Sequence, residues 1–170
     1  PAVFLVPPHA AWTAQVPRLV SDTLRENLLL GRTPADGELD AALGLAVLKP
    51  GLQRLEHGLD TQVGSRGVRL SGGQVQRSAA ARMFLTQAEL LVFDDLSSAL
   101  DVETEARLWE GVAAAGATCL VVSHRLAALE RADRILVMDG GRLTACGTMA
   151  QLLESDAGFR TMFSAEAGLV

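Results

Sequence analysis

The stretch "VRLSGGQVQRSAA", Val68 to Ala80, sets a serine and two adjacent glycines directly before a helix-forming run. A helix N-terminus presents N–H groups with partial positive charge, and glycines let an anion approach the backbone, so Ser71, Gly72 and Gly73 could hold a phosphate. The same string is also an ordinary helix start, because Ser71 and Gln74 have the spacing of a capping box. By itself it does not decide between the two. A second candidate is Asp94–Asp95, which closes the apolar run beginning at Leu90. Paired carboxylates at the end of a buried strand suit magnesium coordination and the handling of a water molecule; the alternative is that one of them caps the element that follows. A third is His124 in Ser123–His124–Arg125, where a surface or hydrogen-bonded histidine is the alternative.

These residues need a frame, and the apolar pattern supplies one. Leu90–Phe93, Leu120–Val122 and Ile135–Met138 are short continuous runs, as expected of strands covered on both faces. Helices are predicted between them at about 74–85, 102–115 and 126–131. In the second of these, Asp101 is the N-cap, Glu103 and Glu105 lie in the first turn, and Gly116 follows the last. Strands alternating with helices make a parallel sheet whose C-terminal rim binds ligands, and Asp94, Asp95 and His124 all fall on that rim.

Upstream, a short strand is predicted over Ala10–Gln15. Thr23 and Glu26 have capping-box spacing before a short helix stopped at Gly31. A second helix follows the turn at Thr33–Pro34 and ends at Lys49–Pro50–Gly51, and "HGLDTQVGSRGVRL" reads as loop. Near the C-terminus, "VMDGGRLTAC" reads as a hairpin turning at Asp139–Gly140, and Thr148 to Phe163 as one or two amphipathic helices.

Composition narrows the function classes. A chain of 170 residues, 49% hydrophobic and 21% charged, can bury a full core as a single domain. A net charge of −5 argues against a nucleic-acid partner, which would need dense Lys and Arg along one face. Cys119 and Cys146 lie far apart and read as reduced thiols of a cytoplasmic protein. The most apolar long stretch, Val112–Val122, is too short for a membrane span, and "PAVFLVPP" lacks the basic flank and cleavage site of a signal peptide. With no initiating methionine, the chain is expected to start within a longer protein.

"LSGGQ" (Leu70–Gln74), "LLVFDD" (Leu90–Asp95), "SALD" (Ser98–Asp101) and "VVSH" (Val121–His124), in this order, resemble the signature, Walker B strand, D-loop and switch histidine of ABC transporter nucleotide-binding domains. "QVPRLVSDTLRENLLLG" is similar to the Q-loop and the segment after it, with Gln15 in the Q-loop position. The likeness covers about residues 10 to 163. It implies an α/β fold: a partial P-loop NTPase (RecA-like) core with parallel strands flanked by helices, plus a helical signature subdomain. The implied division is about 16–88 for the Q-loop and signature subdomain, 89–147 for the core, and 148–170 for C-terminal helices.

In that family two such domains dimerise head to tail, each ATP lying between the P-loop of one and the signature of the other. The resemblance therefore implies ATP and Mg2+ as cofactors. Ser71, Gly72, Gly73 and Gln74 would serve the γ-phosphate, and Asp101 would bridge the protomers. Asp94 would hold magnesium; Gln15 would sense magnesium and the attacking water; Asp95 and His124 would complete the catalytic set. The implied partners are a second nucleotide-binding domain and transmembrane transporter domains, with the chain peripheral at the cytoplasmic face of the membrane. The short span between Gln15 and Ser71 disfavours DNA-repair members of the wider group, which insert long coiled coils there.

Two departures qualify the likeness. A P-loop needs GxxxxGK[ST], and the sole lysine, Lys49, sits in "LKPG". The chain is thus expected to be the C-terminal part of such a domain, cut from its P-loop or completed by another polypeptide, and inactive alone. The P-loop strand of this fold pairs beside the strand carrying the switch histidine, so Cys119–Ser123 is expected to present an open apolar edge and to promote self-association. The second departure is Asp95, where the family usually has glutamate. An alternative function is a non-catalytic module that donates its signature in trans to a partner ATPase.

Overall fold

A computed structural model describes residues 8–166. The signal-peptide reading of Pro1–Pro7 and the final residues 167–170 lie outside the described residues. The chain divides into two compact units, one through Val122 and one from Ser123.

The first unit is built on a three-stranded parallel sheet of order β1 (Ala10–Thr13), β4 (Leu90–Asp94), β5 (Thr118–Val122). Trp12, Val92 and Leu120 stand in register across it. Alternation along β4 buries Leu91 and Phe93 while Leu90, Val92 and Asp94 are half-buried, so one face is core. On that face Phe93 meets Trp109 edge to face at 5.9 Å, which docks α5 (Val102–Ala114) on the sheet. The other face carries apolar side chains in the open: Trp12 is 64% exposed, Leu120 51% and Val122 59%. The continuous apolar runs predicted strands covered on both faces; among the described residues only one face is covered. Among those residues β5 also pairs on one side alone, with β4, the open apolar edge expected at Cys119–Ser123.

Around the sheet lie α1 (Leu24–Leu29), α2 (Glu38–Leu45), α3 (Lys49–Leu52) and α4 (Gly72–Phe84). Thr23 caps α1, its hydroxyl accepting from Glu26 N at 3.1 Å. Leu30, not Gly31, makes the left-handed stop of α1, at φ 49°. The second predicted helix is shorter than its apolar pattern, because Gly37 starts it and Val47 (φ 53°) turns the chain after it. Lys49–Pro50–Gly51 does not end a helix; it begins α3, since a proline in the first turn lacks only an N–H that has no partner there. The "loop" between Gly58 and Val68 holds a 3-10 turn (Gly58–Asp60) and β3 (Gln62–Val63), antiparallel to β2 (Asp22–Thr23).

The second unit contains α6 (Leu126–Leu129), the hairpin β6 (Ile135–Asp139) and β7 (Arg142–Gly147), then α7 (Met149–Ser155) and α8 (Ala157–Glu166). Its core gathers Ile135, Leu152 and Phe159. Ile135–Met138 was expected in the parallel sheet, yet it pairs antiparallel with β7 in a sheet of its own. The turn falls on Gly140–Gly141, one residue past the expected Asp139–Gly140: Asp139 pairs with Arg142, and the two glycines take the positive φ that such a turn needs.

Candidate functional site

The start of α4 is built as its residues predict. Ser71 Oγ accepts from Gln74 N at 3.2 Å, and Ser71 N donates to Gln74 Oε1 at 2.8 Å. Both halves of the capping box are present, which fixes the direction of the first turn. Ser71 and Gly72 are exposed, whereas Gly73 is buried against the loop after β4. A Cβ on Gly73 would stand 3.0 Å from the Ala99 carbonyl oxygen and 3.1 Å from Leu100 Cδ2. A Cβ on Gly72 would also meet Ala99, at 3.3 Å from its Cβ, so both glycines pack on this loop, Gly73 the more tightly, and only Gly72 keeps an exposed side.

At the C-terminal end of β4, Asp94 shares the sheet face of Leu90 and Val92, and Asp95 turns the chain off the strand. Asp95 sits at φ 50°, a left-handed conformation uncommon for a residue with a Cβ. Its N–H donates to the Val122 carbonyl at 2.9 Å, so the sheet itself holds the turn. Its Oδ2 accepts from Gln15 Nε2 at 3.4 Å. Its Oδ1 is buried with no hydrogen-bond partner. A buried carboxylate oxygen left unpaired costs free energy, and a bound cation or a water would satisfy it.

That orphaned oxygen is the test of fit for magnesium. Asp95, the adjacent Asp94 and the amide of Gln15 offer oxygen ligands at one sheet end, the donor type a hard cation takes. Among the described residues no cluster of three or more His, Cys, Asp or Glu could enclose a metal.

Asp101 caps α5. Its carboxylate accepts from Thr104 N at 2.9 Å and from Thr104 Oγ1 at 2.8 Å. These bonds, the backbone one foremost, hold its carboxyl below the usual range, and Arg77 adds a smaller pull in the same direction. Arg77, on α4, is itself lowered by burial, with Asp101 opposing the shift.

The structure brings Gln15 to Asp95 and ties the Ser71–Gln74 turn to Ala99 and Leu100. His124 belongs to the second unit, follows β5 by two residues and is exposed. Lys49 is engaged elsewhere, in an ion pair with Asp40 at 2.7 Å. Two surface grooves of the first unit are lined by other residues, one around Arg32 and Glu38, the other around Trp12 and Arg82; neither includes Gln15, Ser71, Asp94 or Asp95.

Sequence reasoning passed over Gln76 and Arg82. Gln76 lies three residues after Gly73 on the same helix face, and its side chain joins α4 to the loop after Asp95. Arg82 donates to the carbonyls of Asn27 (2.5 Å) and Arg18 (2.9 Å) and to Asn27 Oδ1 (3.1 Å), fastening the segment after Gln15 to α4. A charged residue amid the alanines of "SAAARMF" was the available signal for Arg82.

No family model matches the sequence. The chain is 40% identical over 149 residues to a putative multidrug export ATP-binding/permease protein of Staphylococcus aureus, covering 86% of this chain and 26% of that protein. It is also 40% identical over 169 residues to YheI of Bacillus subtilis, a probable multidrug resistance ABC transporter ATP-binding/permease protein, covering 92% and 29%. Among solved structures, a bacterial Atm1-family ABC exporter with ATP bound matches 94% of this chain and 28% of its own, at a TM-score of 0.85 and 35% identity. The chain spans less than a third of the length of these relatives. With the ordered motifs from Gln15 to His124 and this shared fold, the chain belongs to the ATP-binding domains of ABC transporters, as the portion of such a domain that follows the P-loop.

Proposed function

We propose that the chain contributes the signature and Walker B halves of composite ATP sites in an ATPase that energises transport across a membrane. The observation that carries this reading is the meeting of Gln15 with Asp95 at the end of β4, beside a carboxylate oxygen left without a partner. Asp94, with Gln15, would hold the magnesium ion, which supplies charge neutralisation on the phosphates. Asp95 would orient and deprotonate the attacking water, and Gln15 would hold that carboxylate in place. Ser71, Gly72, Gly73 and Gln74 would present the start of α4 to the γ-phosphate of a nucleotide bound mainly by a second, head-to-tail domain. Asp101 would face that second domain, and His124 would steady the charge that builds during transfer. In this reading residues 16–88 form the signature subdomain, 89–147 the core and 148–170 the C-terminal helices.

The permease part of the relatives' names supports transmembrane domains as partners and a place at the cytoplasmic face of the membrane. Among the described residues no helix is long and apolar enough to cross a membrane. The export named in the relatives supports outward transport, and nothing in these residues names the cargo.

The 170 residues contain no GxxxxGK[ST], and their one lysine is paired with Asp40. This favours a second reading, a module that donates its signature in trans and does not hydrolyse ATP by itself. Both readings predict little activity for the chain alone. They part when it is joined to a P-loop-bearing segment: Asp95→Asn abolishes hydrolysis under the first and leaves it unchanged under the second. Asp95 is one methylene shorter than glutamate, so turnover should be slow, and Asp95→Glu should raise it; an unchanged rate would mean aspartate already reaches the water.

A further inference from the structure

We propose that Gln76 is a positioning residue that locks the start of the signature helix to the Asp95 turn and the D-loop, so that the two half-sites on this chain move together. Its consequence for turnover rests on the proposed function; the mechanical link does not.

Gln76 is 4% exposed, and both ends of its amide are engaged. Nε2 donates to Ser98 Oγ at 2.9 Å and reaches the Asp95 carbonyl at 3.5 Å, while Oε1 accepts from Ala99 N at 3.1 Å. Ser98 Oγ in turn donates to the same Asp95 carbonyl at 3.2 Å. One planar amide thus spans three consecutive features: the turn that aims Asp95, the hydroxyl that bridges it, and the backbone of the D-loop. One contact from α4 and one from α5 reinforce the span. Gly73 packs directly on the Ala99 carbonyl, and Ser97 Oγ donates to the buried Glu105 Oε1 at 2.6 Å from the opposite side. The D-loop is therefore pinned between α4 and α5, with the Gln76 side chain bonded to both the Asp95 turn and the D-loop.

The geometry has a consequence for a head-to-tail pair. Asp95 would serve the nucleotide held by its own protomer, whereas Ser71 would serve the nucleotide of the other. A rigid link between them makes a shift at one site a shift at the other, which is a coupling between sites with a named element carrying it.

The test uses Gln76→Leu, which keeps the volume and removes both hydrogen-bonding ends, and Gln76→Glu, which keeps the acceptor and removes the donor. In the 170-residue chain, amide exchange at Ala99 should quicken about tenfold or more in Gln76→Leu and by less than about threefold in Gln76→Glu, with Leu91 in β4 unchanged as the reference. Ser98→Ala, at an exposed position, is the variant to use should Gln76→Leu not fold, and should quicken Ala99 exchange at least about threefold. When the chain is joined to its P-loop segment, Gln76→Leu should lower kcat about tenfold with KM for ATP within about twofold, as expected of a group that aligns but does not bind. Unchanged Ala99 exchange would overturn the link. Faster exchange with an unchanged kcat would overturn the positioning role. Absence of hydrolysis in the unsubstituted assembly would count against the proposed function, and the exchange result would still decide the link.

Discussion

Gln15 and Asp95, 80 positions apart in the sequence, meet through a hydrogen bond of 3.4 Å from Gln15 Nε2 to Asp95 Oδ2. The bond closes a loop between β1 and β4, which lie side by side in the sheet, so parallel pairing is what carries the two side chains to one end. Asp95 accepts a left-handed backbone and leaves Oδ1 buried without a partner. A residue kept in that state is expected to be tuned for function at some expense of stability. Asp95→Asn removes the charge and suits the left-handed conformation, because asparagine tolerates it. It should leave stability unchanged or raise it by about 1 kcal/mol. Asp95→Ala has no such tolerance and should cost about 1 kcal/mol. Thermal unfolding of the two variants checks the order.

Arg82 ties the segment after Gln15 to the helix that begins at Ser71. Its three bonds converge on Arg18 and on Asn27, which is fully buried and also accepts from Val20 N at 2.8 Å. Burial lowers the Arg82 pKa, yet the group keeps its charge at any ordinary pH. Arg82→Ala should lower stability by about 3 kcal/mol, since charged hydrogen bonds are lost and buried acceptors are left behind. Arg82→Lys should recover less than half, because one ammonium cannot reproduce the fork. Urea unfolding with an unchanged slope is the measurement.

Asp101 makes the start of α5 sensitive to acid. Its folded pKa lies below the ordinary 3.8, chiefly through the Thr104 backbone N–H and next through the Thr104 hydroxyl. The stability it adds is therefore fully present above the unfolded value and is lost as pH falls through the folded value. The thermal midpoint of the unsubstituted chain should exceed that of Asp101→Ala at pH 6, and the gap should narrow below about pH 4. A gap that is constant from pH 6 to pH 3 would contradict the capping role of the charge.

The outer sheet face should make the chain self-associate. Trp12 and Leu120 stand in one row across the strands, Val122 lies next to them, and among the described residues β5 offers an open edge. An unpaired apolar edge recruits other chains. Sedimentation velocity should show mass rising with concentration, and the double change Leu120→Lys, Val122→Lys should return it to monomer with little loss of stability, since both positions are exposed. A monodisperse monomer of the unsubstituted chain would contradict this.

Local signals in the sequence located the elements that carry the site. The Ser71 box, the Asp101 cap and the apolar run of β4 each specify their structure within a few residues, because capping and strand alternation act over a single turn or pleat. Partners fixed by tertiary packing were not legible. Gln76 meets Ser98 and Ala99 only once the loop after β4 is laid against α4, and Gly73 looks like a phosphate glycine until Ala99 lands on it. The open face of the sheet was hidden for a related reason: an apolar run records that a face is meant to be covered, and not what covers it. Lys49–Pro50–Gly51 misled because proline stops a helix from within and starts one from its first turn.

In the proposed reading this chain supplies one half of a composite nucleotide site and needs a P-loop from outside these 170 residues. Calorimetric titration of magnesium ATP into the purified chain, alone and then joined to a P-loop-bearing segment, tests it most directly. The expected result is a Kd of about 1 mM or weaker for the chain alone, and tight binding that Asp94→Ala weakens once the P-loop is supplied. Micromolar affinity for the chain by itself would contradict it.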